Sequence, residues 1–425
     1  MLNSRLKAGV LPTVLFISFI FAVLSAALIL FVYSQRLLFV KQKVTHELNL
    51  NAQSALNFAL ANPALPFYQN YRFDLYDKGN DSVQITKKYW GLFDLIVSSA
   101  KRGRNKCQEI ALIGSKVDSI STASLYLLDE SRPLSLVGNT EIKGKAFLPK
   151  AGVKAAFIQP DFYKGKELIY GQILQSSDQL PEIKKFFFDR VEFYQNRRWT
   201  RIVNEFVQQL ALPDEPISHS FSHPTLVVFK QGEIVLKNIL VKGNVIIQSG
   251  KSIVVEKTAT LENIIIIAPK VILKPEFKGQ IQIFAADTVE VGERSQLDYP
   301  SAISVSSNSG AYVNLKSDSR VNGLITIVKE KDPKNQRVDI SKLNRLNIEK
   351  GVIVHGSIYN EGYIQLKGSI LGNIVCQRFY LQTPITLYEN YLYDAIINVK
   401  QRSKHFLTSS LLSDVSHYDV IKWLK

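Results

Sequence analysis

The chain opens with a long apolar run. Residues 10–33 contain no charged side chain, and a helix over them, at 1.5 Å per residue, is about 36 Å long, which exceeds the hydrocarbon core of a bilayer, about 30 Å thick. A cleavable signal peptide ends its apolar run at a small-residue site, but here the small residues 25–27 are followed by the apolar residues 28–33. The pattern predicts an uncleaved anchor within residues 1–36 that contacts membrane lipid through residues 10–33.

A helical period continues beyond the anchor. Apolar residues recur at three- and four-residue steps until Asn62 and Pro63 interrupt the pattern, so a stalk helix is predicted over residues 37–62. A single helix that runs from the bilayer into a globular head, with the sequence NAQSAL at residues 51–56, resembles the minor pilins and pseudopilins. The prepilin cleavage pattern, a Gly before the apolar run and a Glu at its fifth position, is missing after Gly9. An ordinary anchor with a short stalk helix explains the same residues.

Residues 63–137 change to a strand-like pattern. Residues 71–76 and 82–86 alternate polar and apolar side chains, and residues 78–81 between them have turn chemistry, which predicts a hairpin. Residues 124–128 add another predicted strand. Together these elements predict a small, mostly antiparallel head of α+β type next to the membrane.

A short unit of Gly, then Ser or Asn, then a β-branched residue recurs along the chain. It begins at Gly138, Gly243, Gly356, Gly368 and Gly372. Apolar doublets recur around it, namely Val245/Ile247, Ile253/Val255, Ile265/Ile267, Val271/Leu273, Ile281/Ile283 and Val289/Val291. Strands this short bury a face only when they stack turn on turn, with Val and Ile in one inner column and Gly at the corners. The repeats predict a mainly β protein with a parallel β-helix (solenoid) over residues 225–400, and first turns are expected in residues 138–182.

A β-sandwich also contains many short strands, and it is the alternative fold. Sandwich strands are longer and are joined by hairpin turns, whereas here corner signals replace Asn-Gly turns. Over residues 225–400 the pattern resembles the bactofilin-type, polymer-forming β-helix family, with less regular spacing. The resemblance implies a cytoskeletal or envelope scaffold, and head-to-tail polymerisation is not assumed from it.

One predicted helical segment interrupts the repeats. Residues 183–212 combine a helical apolar period with basic side chains, and Pro181 and Pro213 bound the segment, which predicts one helix or a broken pair of helices. The basic side chains are Lys184, Lys185, Arg190, Arg197, Arg198 and Arg201. Interleaved basic and aromatic residues are typical of a helix on a membrane surface or on nucleic acid; the alternative is a helix that packs against the side or open end of the coil and covers its edge amides. A charged loop is predicted at residues 329–335, and the tail 401–425 is predicted to be partly helical.

The charge and cysteine content limit the classes of partner that the protein could bind. In 425 residues the formal net charge is +15, which favours anionic partners such as lipid headgroups, nucleic acid, acidic glycans or an acidic protein surface. No RNP motif, zinc finger or helix-turn-helix pattern is present in the sequence, so nucleic acid is not an expected partner. Cys107 and Cys376 are the only cysteines, so the sequence contains no disulfide framework and no CxxC metal spacing.

Candidate catalytic and metal-binding residues are sparse. His219 and His223 are four positions apart, but they lie in a Ser-rich segment that ends at Pro224 and lacks an acidic third ligand. A β-helix lyase or hydrolase needs clustered carboxylates, and the nearest approach is Asp287, Glu290, Glu293 and Asp298. Their spacing is expected to place them on different faces of a coil. The sequence therefore assigns no catalytic, cofactor-binding or metal-binding residue, and we expect no enzyme activity.

The expected function is positional. A coil on a membrane anchor predicts a non-catalytic structural or scaffold component of a cell-envelope assembly, of pilus, secretion or cytoskeletal type, with protein partners and self-association through the coil ends. Basic residues flank the anchor almost equally, namely Arg5, Lys7, Arg36, Lys41 and Lys43. The short N-terminal tail favours a cytoplasmic N-terminus, which predicts a single-pass inner-membrane protein with a periplasmic C-terminal domain. The alternatives are a β-helix carbohydrate-active enzyme or glycan-binding protein, and a DNA-handling component of a membrane machine.

Overall fold

The computed structural model describes residues 9–74, 82–116, 123–202, 204–209, 215–329, 343–410 and 417–424. The predicted turn at residues 78–81 and all but the first residue of the predicted loop at 329–335 lie outside these ranges. The chain divides into two compact units. The first comprises residues 1–58, 70–85 and 98–109, and the second comprises residues 59–69, 86–97 and 110–425.

Two α-helices and thirty-one strands are present in the described residues. Helix α1 is Val10–Ala61 and helix α2 is Lys185–Gln195, with 3-10 turns at Arg198–Arg201 and Val399–Gln401. Strands β1 to β4 are Asn70–Phe73, Ser82–Trp90, Phe93–Arg102 and Asn105–Ser115. Strands β5 to β12 are Leu125–Leu127, Leu134–Val137, Glu141–Lys143, Ala146–Leu148, Val153–Ala155, Phe157–Ile158, Asp161–Phe162 and Ile173–Gln175. Strands β13 to β22 are Phe206–Gln209, Ile217–His219, Thr225–Lys230, Ile234–Leu236, Leu240–Gly243, Val245–Ser249, Ser252–Val255, Thr260–Leu273, Lys278–Val291 and Gln296–Ser307. Strands β23 to β31 are Tyr312–Leu315, Arg320–Lys329, Asn344–Ile348, Ile353–Leu366, Ser369–Gln382, Leu387–Glu389, Tyr391–Tyr393, Ile396–Asn398 and Tyr418–Leu424.

In the first unit, the C-terminal part of α1 buries one stripe of its surface. Leu48, Ala52 and Leu56 are buried, and the Ser98 hydroxyl donates a hydrogen bond of 2.7 Å to the carbonyl oxygen of Ala52. These residues recur every four positions, so they form one stripe of the helix. The helix is continuous from the apolar run through the predicted stalk, and it ends before the Asn-Pro pair, as the sequence predicts.

The C-terminal tail ends in a strand. Strand β31 pairs antiparallel with β4, with Tyr418 opposite Ser115 and Leu424 opposite Ile110, in a five-stranded sheet of order β1-β2-β3-β4-β31. Of the tail, Gln401 alone among the described residues lies in a helical turn. The prediction of a partly helical tail therefore differs from the structure, because hydrogen bonding to the edge of a distant strand decides the conformation of this segment.

The predicted parallel β-solenoid is confirmed, with about 12 turns. Its inner column stacks one apolar side chain per turn on the next, through Ile247, Ile266, Ile283, Ile303, Ile325, Ile358 and Ile374. Glycine occupies a corner where successive turns approach closely: Gly356 has φ of 149° and lies between Gly323 and Gly372, and a Cβ on it would stand 1.9 Å from the Gly323 carbonyl oxygen. A side chain cannot fit there, which explains the Gly at this point of the repeat.

The turns do not stack in chain order. Strand β5 pairs with β27, with Leu125 opposite Ile374, β7 pairs with β30, and β8 pairs with both β5 and β12. Residues 125–175 therefore extend the coil beyond residue 398. The first turns were predicted within residues 138–182, but in space these are the last turns, and they begin at Leu125. Residues 124–137, predicted to belong to the head, thus lie in the coil, because stacking depends on matching strand edges and not on closeness in sequence.

The segment between these last turns and the first turn runs back along the outside of the coil. The hydroxyl of Tyr126 donates to the carbonyl oxygen of Gln179 (3.2 Å), and that of Tyr359 donates to the carbonyl oxygen of Pro181 (2.9 Å). Further on, the ring of Tyr194 packs 4.7 Å from that of Phe284, and the Arg197 guanidinium lies 4.0 Å from the ring of Phe229. We call residues 177–205 the return segment.

The predicted helical insertion of residues 183–212, one helix or a broken pair, is shorter in the structure. Of the described residues in this range, Lys185–Gln195 are α-helical, and Phe206–Gln209 is already the first strand of the coil. Of the two interpretations of this helix, the structure shows the packed one, since Phe187, Val191 and Tyr194 are buried. The helix covers the side of the coil, not an open end.

One side of the coil is buried from both directions. We call the stack that contains residues 245–249, 264–268 and 281–285 the first face, and the stack that contains 252–255 and 344–348 the second face. Inside the coil lies the inner core, which includes Ile264, Ile266 and Ile283. Outside the first face lies a second, outer core, formed with α2 and the sheet, which includes Ile246, Ile265, Ile267, Phe284, Phe187 and Leu92.

The doublet Ile265/Ile267 was predicted to point into the coil, and this is wrong. Both side chains belong to the outer core, and Ile264 and Ile266 point inward instead. Asn263 has a positive φ of 55°, and the pairing with β21 shifts register between Glu262 and Ile264. The shift reverses the alternation, and a run of four isoleucines carries no polar position that would reveal it.

Candidate functional site

The first candidate site is the apolar surface of α1, in the first unit. The helix is long and apolar enough to cross a membrane, and its apolar side chains from Val10 to Tyr33 are exposed, with Phe16, Phe21 and Leu30 each more than 60% accessible. Water does not stabilise such a surface. An exposed apolar surface of this size is typical of a segment that contacts lipid or other apolar helices.

The apolar surface continues past the first basic residue. After Arg36 come Leu37, Leu38, Phe39 and Val40, each at least 51% exposed. Consecutive helix positions are about 100° apart, so four in a row point to all sides of the helix. A surface helix normally has a polar face as well as an apolar one, and this turn has none. We call residues 37–40 the apolar collar.

A buried ionic network lies in the second unit, in a segment to which the sequence assigned no role. Asp94 is 1% exposed. Arg190 Nη2 is 2.8 Å from Asp94 Oδ1, and Lys87 Nζ is 3.4 Å from Oδ2. The hydroxyls of Tyr418 and Ser410 also donate to Oδ2, at 3.2 and 3.3 Å. The carboxylate thus joins the sheet, the return segment and the C-terminal strand.

The guanidinium of Arg190 also contacts strands β2 and β3 and the turn between them. Its Nη1 donates to the carbonyl oxygens of Gly91 (3.1 Å) and Phe93 (2.9 Å), and its guanidinium lies 3.7 Å from the ring of Tyr89. Among the six basic residues of the predicted helix, this one is buried, and its role is internal. Asp94 is the one acid among the apolar residues 92–97, and this was a signal in the sequence that could have revealed the partner of Arg190.

The charges of the network are mutually dependent. Burial raises the pKa of the Asp94 carboxyl, but the charges of Arg190 and Lys87 outweigh this effect, so the pKa of Asp94 lies below its usual range. Burial lowers the pKa of Lys87, and the charge of Asp94 opposes that shift. The network therefore keeps Asp94 ionised and links three segments of the second unit.

The histidine pair is held by local contacts. The ring centroids of His219 and His223 are 5.8 Å apart, and His219 Nε2 is 2.7 Å from the carbonyl oxygen of Pro224. Within the described part of the chain, no group of three His, Cys, Asp or Glu side chains could hold a metal ion. The pair alone is not a metal site.

The four carboxylates considered for catalysis do not converge. Glu290 lies 3.8 Å from Lys270 and 3.7 Å from Lys316, Glu293 lies 3.7 Å from Arg294, and Asp298 accepts a hydrogen bond of 2.7 Å from Gln296. Asp287 is exposed. Ion pairs of this kind on a surface are typical of solvated side chains.

The two cysteines are both free and lie in different units. Cys107 is half-buried, and its Sγ contacts the carbonyl oxygen of Thr45 at 3.8 Å. Cys376 is buried in the inner core. Burial raises the pKa of the Cys376 thiol, so this side chain behaves as a core residue and not as a nucleophile.

The coil ends are the last candidate surfaces. Strand β12 pairs with β8, and β13 pairs with β15; the residue registers of the described strands place no strand on the far side of either. Near β12 the antiparallel pair β10–β11 exposes Phe157 and Phe162, and Ile173 is also exposed. Unpaired edges with apolar side chains are typical places for strand addition.

Comparisons with known proteins leave the family open. No protein-family model matches the chain, and no curated protein matches it. Among solved structures, one similar chain is the competence-associated pilin ComZ from Thermus thermophilus, at 10% identity and a TM-score of 0.25, with 85% of this chain and 89% of that chain covered. A likeness at that TM-score supports no conclusion about fold or function.

Proposed function

We propose that this protein is a non-catalytic structural subunit of a cell-envelope assembly, held by one membrane-spanning helix. The observation that carries the proposal is the apolar collar beyond Arg36. Residues 10–33 alone, about 36 Å of helix, satisfy the thickness of a bilayer, about 30 Å.

The bilayer therefore does not account for the apolar collar, which lies beyond the span. Charged side chains stay at or outside the membrane interface, so Arg36 marks one boundary of the span and residues 37–40 follow it. Their surface points to all sides, which one flat protein surface cannot cover. A bundle of neighbouring helices from partner subunits, or from further copies of this chain, covers such a surface completely.

The coil fits a positional role. Its turns form a rigid stack, and its two end strands, β12 and β13, offer edges for a partner or for a second copy. This agrees with the resemblance to bactofilin-type scaffolds, which remains a prediction. The carboxylates Asp287, Glu290, Glu293 and Asp298 offer no acid–base pair at which glycan cleavage would take place.

Site-specific photo-crosslinking tests the assembly. A benzoylphenylalanine at Phe39 in the full chain, in native membranes, should form adducts with apolar helices of partner subunits or of a second copy. The matched control carries the same group at Phe186, an exposed aromatic on the return segment. Adducts with lipid alone at Phe39 would exclude the helix bundle and with it this function.

Single substitutions separate the structural role from an enzymatic one. Asp287→Asn and Glu290→Gln should leave the Phe39 adducts and the cellular phenotype of the protein unchanged, whereas removal of residues 10–33 should abolish both. An enzyme would show the reverse ranking, because a catalytic carboxylate is needed for turnover and an anchor is not. A folded single-carboxylate variant without function would contradict the proposal.

The orientation is part of the same proposal. We place the N-terminus in the cytoplasm and the coil in the periplasm, because a short N-terminal tail is typical of a signal anchor. A reporter that is active only outside the cytoplasm, fused after residue 425, should be active. An inactive periplasmic fusion with an active cytoplasmic one would place the coil on the cytoplasmic side.

A further inference from the structure

A polar groove runs along the first face of the coil, beside the end of α2. Its volume is about 460 Å³, and it lies within the second unit. One wall is the end of α2 with Gln195, Asn196 and Arg197, and the other is a row of corner residues that includes Gln231 and Ser307. The function proposed above makes no use of this groove.

The groove is elongated along the coil axis. Its floor crosses successive turns, since Phe229 pairs with Gln248, Gln248 with Ile267, and Ile267 with Phe284, and Ser306 follows on the next turn. Neighbouring parallel strands are about 4.8 Å apart, so five turns give a slot about 19 Å long. A slot of this shape fits a linear ligand that lies parallel to the axis.

One buried side chain of the floor is incompletely bonded. Gln248 is 4% exposed, and its Nε2 is 3.5 Å from the carbonyl oxygen of Tyr194. Its Oε1 is buried and has no hydrogen-bond partner. A buried acceptor without a partner is destabilising, and a hydroxyl group bound in the groove would supply the missing donor.

The chemistry of the lining limits the ligand. Arg197 is the one charged side chain that lines the groove, and its Nη2 donates to Gln208 Oε1 at 3.2 Å. The remaining polar groups are amides and hydroxyls of Gln, Asn and Ser, which donate and accept without carrying charge. Nucleic-acid binding requires several cations along the backbone, and hydrolysis requires carboxylates; the lining has neither.

The floor also has room and apolar contact area. Gly250, Ala286 and Ser306 are small, while half-buried Phe229 and exposed Pro269 supply apolar surface between the polar groups. Sugar rings have polar hydroxyl edges and apolar C–H faces, and this alternation matches them. We infer that the groove binds a linear, neutral oligosaccharide, without cleaving it.

Calorimetry on the full chain tests this binding. The probes are the neutral hexasaccharides cellohexaose, chitohexaose and maltohexaose, with a single-stranded DNA dodecamer for comparison, in a detergent that carries no sugar headgroup. At least one hexasaccharide should bind, and its affinity should not change with salt concentration. Absence of binding by all three at millimolar concentration would overturn the inference, and so would salt-dependent binding of the DNA alone.

Three variants locate the binding. Ala286→Phe fills the floor at an exposed position and should abolish it, whereas Asp287→Phe adds the same bulk one position away, outside the lining, and should preserve it. Gln248→Leu removes the unpaired acceptor and should weaken binding about tenfold, the value of one hydrogen bond. Unchanged binding by Ala286→Phe, or equal loss in both Phe variants, would place the ligand elsewhere and overturn the inference.

Discussion

The first and second faces of the coil belong to the same turns, yet they follow different rules. On the first face, residues 264–268 are buried without exception, because the inner core lies on one side and the outer core on the other. On the second face, residues 344–348 alternate between buried and accessible positions. A parallel strand that is covered on both sides reads as a continuous apolar run, and one covered on a single side alternates. The difference in pattern therefore reports what lies outside the coil.

The largest expected effect comes from a charge placed in either core. Ile283→Asp in the inner core and Ile265→Asp in the outer core should each unfold the second unit, because an unpaired buried carboxylate costs several kcal/mol, comparable to the whole stability of a domain. Thermal denaturation followed by circular dichroism measures this. Thr288→Asp, on the accessible side of the second face, is the matched control and should melt near the wild type. An unchanged melting curve for Ile265→Asp would show that Ile265 is not buried in an outer core.

Removal of the buried carboxylate should have the next largest effect. Asp94→Ala leaves Arg190 and Lys87 buried without a counter-charge, which is expected to cost about 3–5 kcal/mol in free energy of unfolding. Glu290→Gln breaks two ion pairs on the second face and should cost less than about 1 kcal/mol. Urea denaturation of both variants measures the contrast. Equal losses would mean that the network contributes no more than a surface pair.

Acid should weaken the network in a defined direction. The pKa of Asp94 is depressed in the folded state, so its stabilising contribution is complete above the unfolded pKa of about 3.9 and is lost as pH falls through the lower folded value. The urea midpoint should therefore fall more steeply below about pH 4 in the wild type than in Asp94→Asn. Parallel pH profiles for the two proteins would contradict this assignment.

A small effect is also expected from the polar ladder on the second face. Asn347 Nδ2 donates to Asn314 Oδ1 at 2.9 Å, and its Oδ1 accepts from Gln365 Nε2 at 2.9 Å. Asn347→Ala should cost about 1 kcal/mol, because water replaces part of this half-exposed ladder. A loss as large as that of Asp94→Ala would show that the ladder, and not the outer core, stabilises the coil.

The sequence predicted the structural features that depend on residues close together in the chain. The corner glycine at Gly356, the continuous helix α1 and the inner column, apart from residues 264–267, follow from periods and turn chemistry that a short window contains. The outer core, the network around Asp94 and the strand at 418–424 depend on segments far apart in the chain, which local patterns do not encode. The groove was missed for the same reason, since α2 supplies one wall and five turns of coil supply its floor.

The order of the turns has a consequence for synthesis. Glu130 and Gln377 form a hydrogen bond in the coil although they are 247 positions apart. A nascent chain therefore releases residues 125–175 long before the strands on which they stack, and their edges stay open until translation has passed β27. Contacts of such long range slow folding, and open edges attract chaperones, proteases or other chains. Only a chain translated to that point can close its coil, so completeness of translation becomes a condition for folding.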